Sequence, residues 1–271
     1  MSQAEPATGS SLRPAYAATL AHQGLVAVLF VLAAIGWWWT IVEMRGMDNG
    51  PWTALGTFGW FLGVWVVMMA AMMFPSVSPT VALYARMSRS RVLPVAFTTG
   101  YLTTWAAAGV VAFLMALATA HAAHGAFRWD NAGQGIAGVT LLVAAGYELT
   151  PLKDVCLGKC RSPLGTLLGS WRAGWAGAFR MGLGNGAWCV GCCWALMASL
   201  FALGVMSVTW MAAVAGLIAI EKTIPWRRVA TYGTTTVLVV LGVIMLIAPD
   251  VLPGLTVPDQ SPMPSMSPMG S

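Results

Sequence analysis

Long apolar stretches, joined by short polar connections, leave this chain few ways to fold. They lie at about 20–43, 57–77, 95–119, 135–152, 183–204, 207–222 and 231–249. A helix needs about 20 apolar residues to cross the roughly 30 Å of a bilayer's hydrocarbon core, and most of these runs approach or exceed that length. Backbone polar groups in lipid must be satisfied internally, so a spanning segment is a helix or part of a closed barrel. Barrel strands are short and alternate apolar with polar residues. These runs are apolar on every side and rich in Leu, Ala, Val, Met and Trp, which favours helices. The chain is 58% hydrophobic and only 8% charged, with a mean hydropathy of +0.74. A soluble domain carries roughly a quarter charged residues, so that class is excluded. The expected fold is an all-α polytopic membrane protein of about seven transmembrane helices. Six plus a re-entrant or hairpin segment is the alternative, because a very short turn near Gly204–Ser207 joins the fifth and sixth runs.

Charge placement gives this scheme an orientation. With seven spans, one side holds Arg13, Arg86, Arg89, Arg91, Lys153, Lys159, Arg161, Arg172, Arg180, Lys222, Arg227 and Arg228, and the other only Arg45 and Arg128. Basic residues collect in cytoplasmic loops, so the N-terminus is expected in the cytoplasm and the C-terminus outside. The net charge of +5 is then a topology signal. Scattered through loops, the basic residues form no nucleic-acid footprint. No cleavable signal peptide is evident, because the first apolar run is long enough to span and no small-residue cleavage site follows it.

The expected organisation is a flexible cytoplasmic leader at 1–19, a single transmembrane domain at 20–249, and a disordered Pro/Met-rich tail at 250–271. Within the longest cytoplasmic loop, Leu164, Leu167, Leu168, Trp171, Trp175 and Phe179 recur at helical spacing. That pattern predicts an amphipathic segment over 162–180 lying on the inner leaflet.

Soft sulfur ligands dominate the chemistry. In NGAWCVGCCWALM, Cys189, Cys192 and Cys193 fall three and four residues apart, on one helical face, and Met197 continues it. In WVVMMAAMMFPS, Met69, Met72 and Met73 share a face, with Pro75 just beyond. Thiolate and thioether suit Cu(I). The bland alternatives are that Cys packs as a small hydrophobe and Met as adaptable filler. Glu148 lies at the edge of the fourth apolar run, where a carboxylate needs a partner, either Lys153 or a bound cation. Cys156 and Cys160 follow at C-x₃-C, which is neither a zinc-ribbon nor a thioredoxin-like spacing. All these residues fall in or near the expected cytoplasmic half, where thiols stay reduced. A Cu(I) sphere shared by the fifth and second spans requires those two helices to bring their sulfurs together. Outside, His121 and His124 and the tail methionines Met263, Met266 and Met269 are weaker candidates.

The segments WVVMMAAMMFPS, ELTPLKDVCLGKCRSPL, MGLGNGAWCVGCCWALM and the closing EK of IAIEK resemble a bacterial family of predicted metal-binding integral membrane proteins (domain of unknown function 2182). The resemblance covers roughly 20–250 and implies an inner-membrane helical protein with a metal site. Family members often carry His or Tyr where this chain has Asn185 and Trp188. No Walker A motif, phosphorylatable aspartate signature or dinucleotide fingerprint is present, so no nucleotide partner is expected. The leading expectation is a protein that binds, transfers or inserts Cu(I), with a copper protein or membrane complex as partner. A membrane thiol–disulfide oxidoreductase and a structural or assembly subunit are the alternatives. Enzymatic activity is not the favoured reading.

Overall fold

The computed structural model describes residues 22–43, 57–90, 92–126, 129–203, 207–224 and 226–247, the side chains of 119–134, 201 and 227 excepted. The leader at 1–19, the tail at 250–271, the side chains of His121 and His124, and Arg45, Arg91 and Arg128 lie outside the described residues.

All regular structure among the described residues is helical. The helices are α1 (Gln23–Glu43), α2 (Phe58–Ser88), α3 (Leu93–Ala126), α4 (Trp129–Glu148), α5 (Pro151–Cys160), α6 (Pro163–Gly169), α7 (Gly174–Leu203), α8 (Val208–Thr223) and α9 (Arg227–Ile247). Five of them, α1, α2, α3, α7 and α9, contain segments long and apolar enough to cross a membrane; a sixth crossing arises if α4 and α5 are counted as one broken span. These helices fit a multi-pass membrane protein. The count differs from seven because the run at 207–222 forms a helix of only 16 residues. At 1.5 Å per residue that is about 24 Å, short of a full hydrocarbon core.

Two further expectations change. The second apolar run does not end near Pro75, because α2 continues to Ser88 with Pro75 and Pro79 inside it. Proline cannot donate to the carbonyl four residues back. Ser78 compensates locally, its hydroxyl donating to the Pro75 carbonyl at 2.9 Å. The segment 162–180 divides between α6 and the first turns of α7, with 170–173 outside any helix. Gly174 opens α7 at φ +77°, a conformation that suits a residue without Cβ.

Small residues set how closely the helices approach. A Cβ added at Gly182 would strike the backbone carbonyl of Phe97, and one at Gly100 that of Phe179. At Gly186 it would lie 2.8 Å from the Thr104 side chain. The α7 glycines at 182 and 186, one turn apart, therefore seat α7 directly on α3. This closest helix–helix packing is not with α2, as the shared-sulfur scheme suggested. The fold instead lets one side chain of α2 reach the α7 cysteines.

Candidate metal centre

The centre is built on the buried middle of α7. Cys189, Cys192 and Cys193 are all free thiols and all buried. Their spacing leaves the Cys189 carbonyl between the other two. Cys192 donates to it at 3.2 Å and Cys193 at 2.8 Å. This back-bonding gives the Cys192 and Cys193 thiols a local acceptor inside an apolar helix.

Cys160 arrives from a separate element, and local sequence explains its position. Pro151 disfavours helical geometry at the residue before it. Thr150 accordingly takes φ −77°, ψ 147° and accepts from the Lys153 backbone N–H as an N-cap. The chain bends by 70° between α4 and α5 there. Lys153, Cys156 and Cys160 then recur at offsets of three and four residues along one face of α5. Cys156 packs on α7 at Gly191, where an added Cβ would lie 2.8 Å from its sulfur. One turn further, Cys160 reaches the cysteines: the sulfurs of Cys160, Cys189 and Cys192 all lie within 4.8 Å of one another. Cys193 sits beside the same group, its thiol donating to the Cys189 carbonyl.

Three other elements complete the walls. From α2, Met73 places its thioether sulfur 4.0 Å from Cys189 Sγ. From α3, the buried Tyr101 hydroxyl lies 3.0 Å from the same sulfur. From α8, Lys222 directs its ammonium at Cys189 Sγ (3.1 Å), Ser76 Oγ (3.4 Å) and Met73 Sδ (3.7 Å).

Next to this lies a buried ion cluster. Lys153 is 1% exposed, and its ammonium donates to both oxygens of Glu221, at 2.9 and 2.7 Å. Glu148, 2% exposed, forms an ion pair with the same ammonium, and neither of its oxygens takes a hydrogen bond. Of the two partners considered for Glu148, the structure places Lys153 beside it. Arg161, at the end of α5, donates to the Glu221 carbonyl at 3.2 Å and to that of Ile224, clasping α5 to the end of α8.

Of the nine residues proposed from sequence, Cys160, Cys189 and Cys192 come together as one sulfur group, with Cys193 and Met73 against it. Met69 and Met72 are buried in α2, but the polar and sulfur contacts that α2 makes with the thiols run through Met73. Cys156 packs beside the group and Glu148 belongs to the ion cluster. Tyr101, Ser76 and Lys222 had not been proposed as site residues. For Lys222 the available signal was its position at the end of an apolar run, where a cation has to find a partner.

The donor set fits a soft metal. A thiolate–metal bond of about 2.3 Å sets three ligands about 4 Å apart around one ion, and the three thiols already stand near that spacing. A family model described as PpoB2, copper chaperone, matches residues 62–245, more than half of the 271-residue chain. The chain belongs to this family. The match takes in every residue placed at the thiol group and supports a copper-related family, though not the domain-of-unknown-function name. No curated protein and no solved structure matches the chain.

Proposed function

We propose that this protein is a membrane-embedded Cu(I) chaperone. It takes Cu(I) as cargo on Cys160, Cys189 and Cys192, with Met73 and Cys193 as neighbouring sulfurs. The observation that carries this reading is the approach of three free thiols, the buried Cys189 and Cys192 and the half-buried Cys160 from a separate element, to within 4.8 Å of one another. Family membership supports copper as the metal. Binding requires thiolates, so each cysteine that ligates Cu(I) releases its proton. Transfer to a copper protein or membrane complex then proceeds by ligand exchange, an incoming sulfur or nitrogen replacing one cysteine at a time. Met73, a neutral thioether, supplies an intermediate ligand that gives up the ion without taking a proton. The basic loops favour the bacterial inner membrane, with the sulfur site in the cytoplasmic half.

The test is Cu(I) titration of detergent-purified protein against a chromophoric Cu(I) chelator, under anaerobic conditions. We expect one tightly held Cu(I) per chain. The double variant Cys189→Ser, Cys192→Ser is expected to bind about a hundredfold more weakly or not at all. Wild-type protein that takes up no Cu(I), or a double variant with full affinity, overturns the proposal.

A further inference from the structure

The Lys222 ammonium is an unexpected neighbour for a metal site. Its donors are directed at Cys189 Sγ, Ser76 Oγ and Met73 Sδ, at 3.1, 3.4 and 3.7 Å. Two of those three are sulfurs of the proposed site. The ammonium is therefore tethered inside the sulfur group. Its backbone is held as well, because the preceding residue, Glu221, is locked to Lys153. Lys222 is the penultimate residue of a 16-residue helix, and its side chain returns toward Cys189.

We propose that Lys222 is the charge-selecting residue of the site, its fixed positive charge favouring a monovalent soft ion over a divalent one. The inference rests on the metal-site reading above and deepens it. Attraction between the ammonium and the thiolates is present whichever metal is bound. Repulsion between the ammonium and the metal doubles when the ion carries two charges instead of one, because Coulomb energy scales with the product of charges. Cys189 and Cys192 are buried and Lys222 is half-buried, so that difference is screened less than it would be between exposed charges. The preference has the same sign whether two or three thiolates bind. With two thiolates, Cu(I) and Lys222 give a neutral assembly, whereas a divalent ion leaves one uncompensated positive charge. With three thiolates the Cu(I) complex carries two negative charges and the divalent complex one, so the ammonium again favours Cu(I) more. Zn(II) also binds thiolates well, so ligand type alone discriminates poorly between the two ions. A cation held against the ligands adds a discrimination that soft sulfur does not provide.

The experiment measures Cu(I) and Zn(II) affinities of the full chain in detergent, at one pH, by chelator competition. Wild type is compared with Lys222→Met, Lys222→Gln and Lys222→Arg. The ratio of Cu(I) to Zn(II) affinity is the readout, since general damage to the site lowers both affinities together and leaves the ratio in place. We expect both neutral variants to lower that ratio by about tenfold or more, and Lys222→Arg, which keeps the charge, to hold it within about threefold. An unchanged ratio in the folded neutral variants overturns the proposal. So does a ratio that rises in them, which would mark the ammonium as a place-holder that Cu(I) displaces. If wild type binds no Cu(I), the chaperone reading fails. If wild type binds Cu(I) and the ratio is indifferent to position 222, only the role of Lys222 fails.

Discussion

Met73 brings a thioether to 4.0 Å from Cys189 Sγ, across the gap between α2 and α7. Replacing it by Leu keeps apolar bulk and removes only the sulfur, a change that usually costs less than about 1.5 kcal/mol of stability. Met73→Leu is expected to weaken Cu(I) binding several-fold in the chelator titration and to speed loss of the ion. Met69→Leu and Met72→Leu are expected to leave both unchanged. Equal effects at all three positions would mean that α2 contributes packing and no ligand. The sequence placed all three methionines on one helical face, because periodicity identifies the face. It does not show which residue on that face stands level with the cysteines, since that depends on the seating of α7 on α3 at Gly182 and Gly186. Lys222 belongs to the closing EK of IAIEK, but its place at the thiols was hidden for a different reason. A lysine beside a glutamate at the end of an apolar run reads as an interfacial charge, but long side chains can turn back along a helix and place their charge elsewhere.

Helix α5 is short, and its position governs whether Cys160 can join the thiol group. Two anchors hold it: Lys153 near its start, between Glu148 and Glu221, and Arg161 just past its end, on the carbonyls of Glu221 and Ile224. Removing one partner of a buried ion pair typically costs about 3–5 kcal/mol, because the remaining charge is left uncompensated. Lys153→Met leaves two buried carboxylates without their cation. It is expected to lower the thermal midpoint markedly and to reduce the number of sulfur ligands seen by X-ray absorption on Cu(I)-loaded protein. Glu148→Gln leaves the Lys153–Glu221 pair intact and is expected to be clearly milder on both readouts. If Lys153→Met keeps the full sulfur count, α5 is held by other contacts and the cluster has no part in positioning Cys160. The α4–α5 break was legible in Thr150–Pro151, because proline chemistry acts locally. The Glu148–Lys153 pairing was legible too, both residues lying within a few positions of that break. Glu221 could be placed on the same side from sequence, but its pairing with Lys153 could not, since it comes from α8, 68 residues away from Lys153.

At the scale of the whole chain, membrane topology depends on α8. The crossings α1, α2, α3, α7 and α9, with α4 and α5 taken as one, number six. An even number puts both termini on the same side, whereas the distribution of basic residues argues for opposite sides. The difference is settled by whether the 16-residue α8 crosses. Its neighbours argue that it does. Lys222, one residue from its end, meets Cys189 in the middle of α7, so α8 runs back alongside α7 from the 204–206 connection. From Cys189 to Leu203 and from Val208 to Lys222 are 14 residues each, so both legs cover about 21 Å at 1.5 Å per residue. At about 24 Å α8 falls roughly 6 Å short of a 30 Å hydrocarbon core, a mismatch that a bilayer can accommodate by local thinning. Burial of Lys153 in the ion cluster leaves the asymmetry of basic residues in place. Arg86, Arg89, Lys159, Arg172, Arg180 and Arg228 still collect on one side of a seven-crossing scheme, and none lies inside an apolar core. Reporter fusions at residues 1, 205 and 271 are therefore expected to read cytoplasm, outside and outside. A cytoplasmic reading at 271 with an outside reading at 205 would make α8 a re-entrant segment. Arg227 and Arg228 would then face outward.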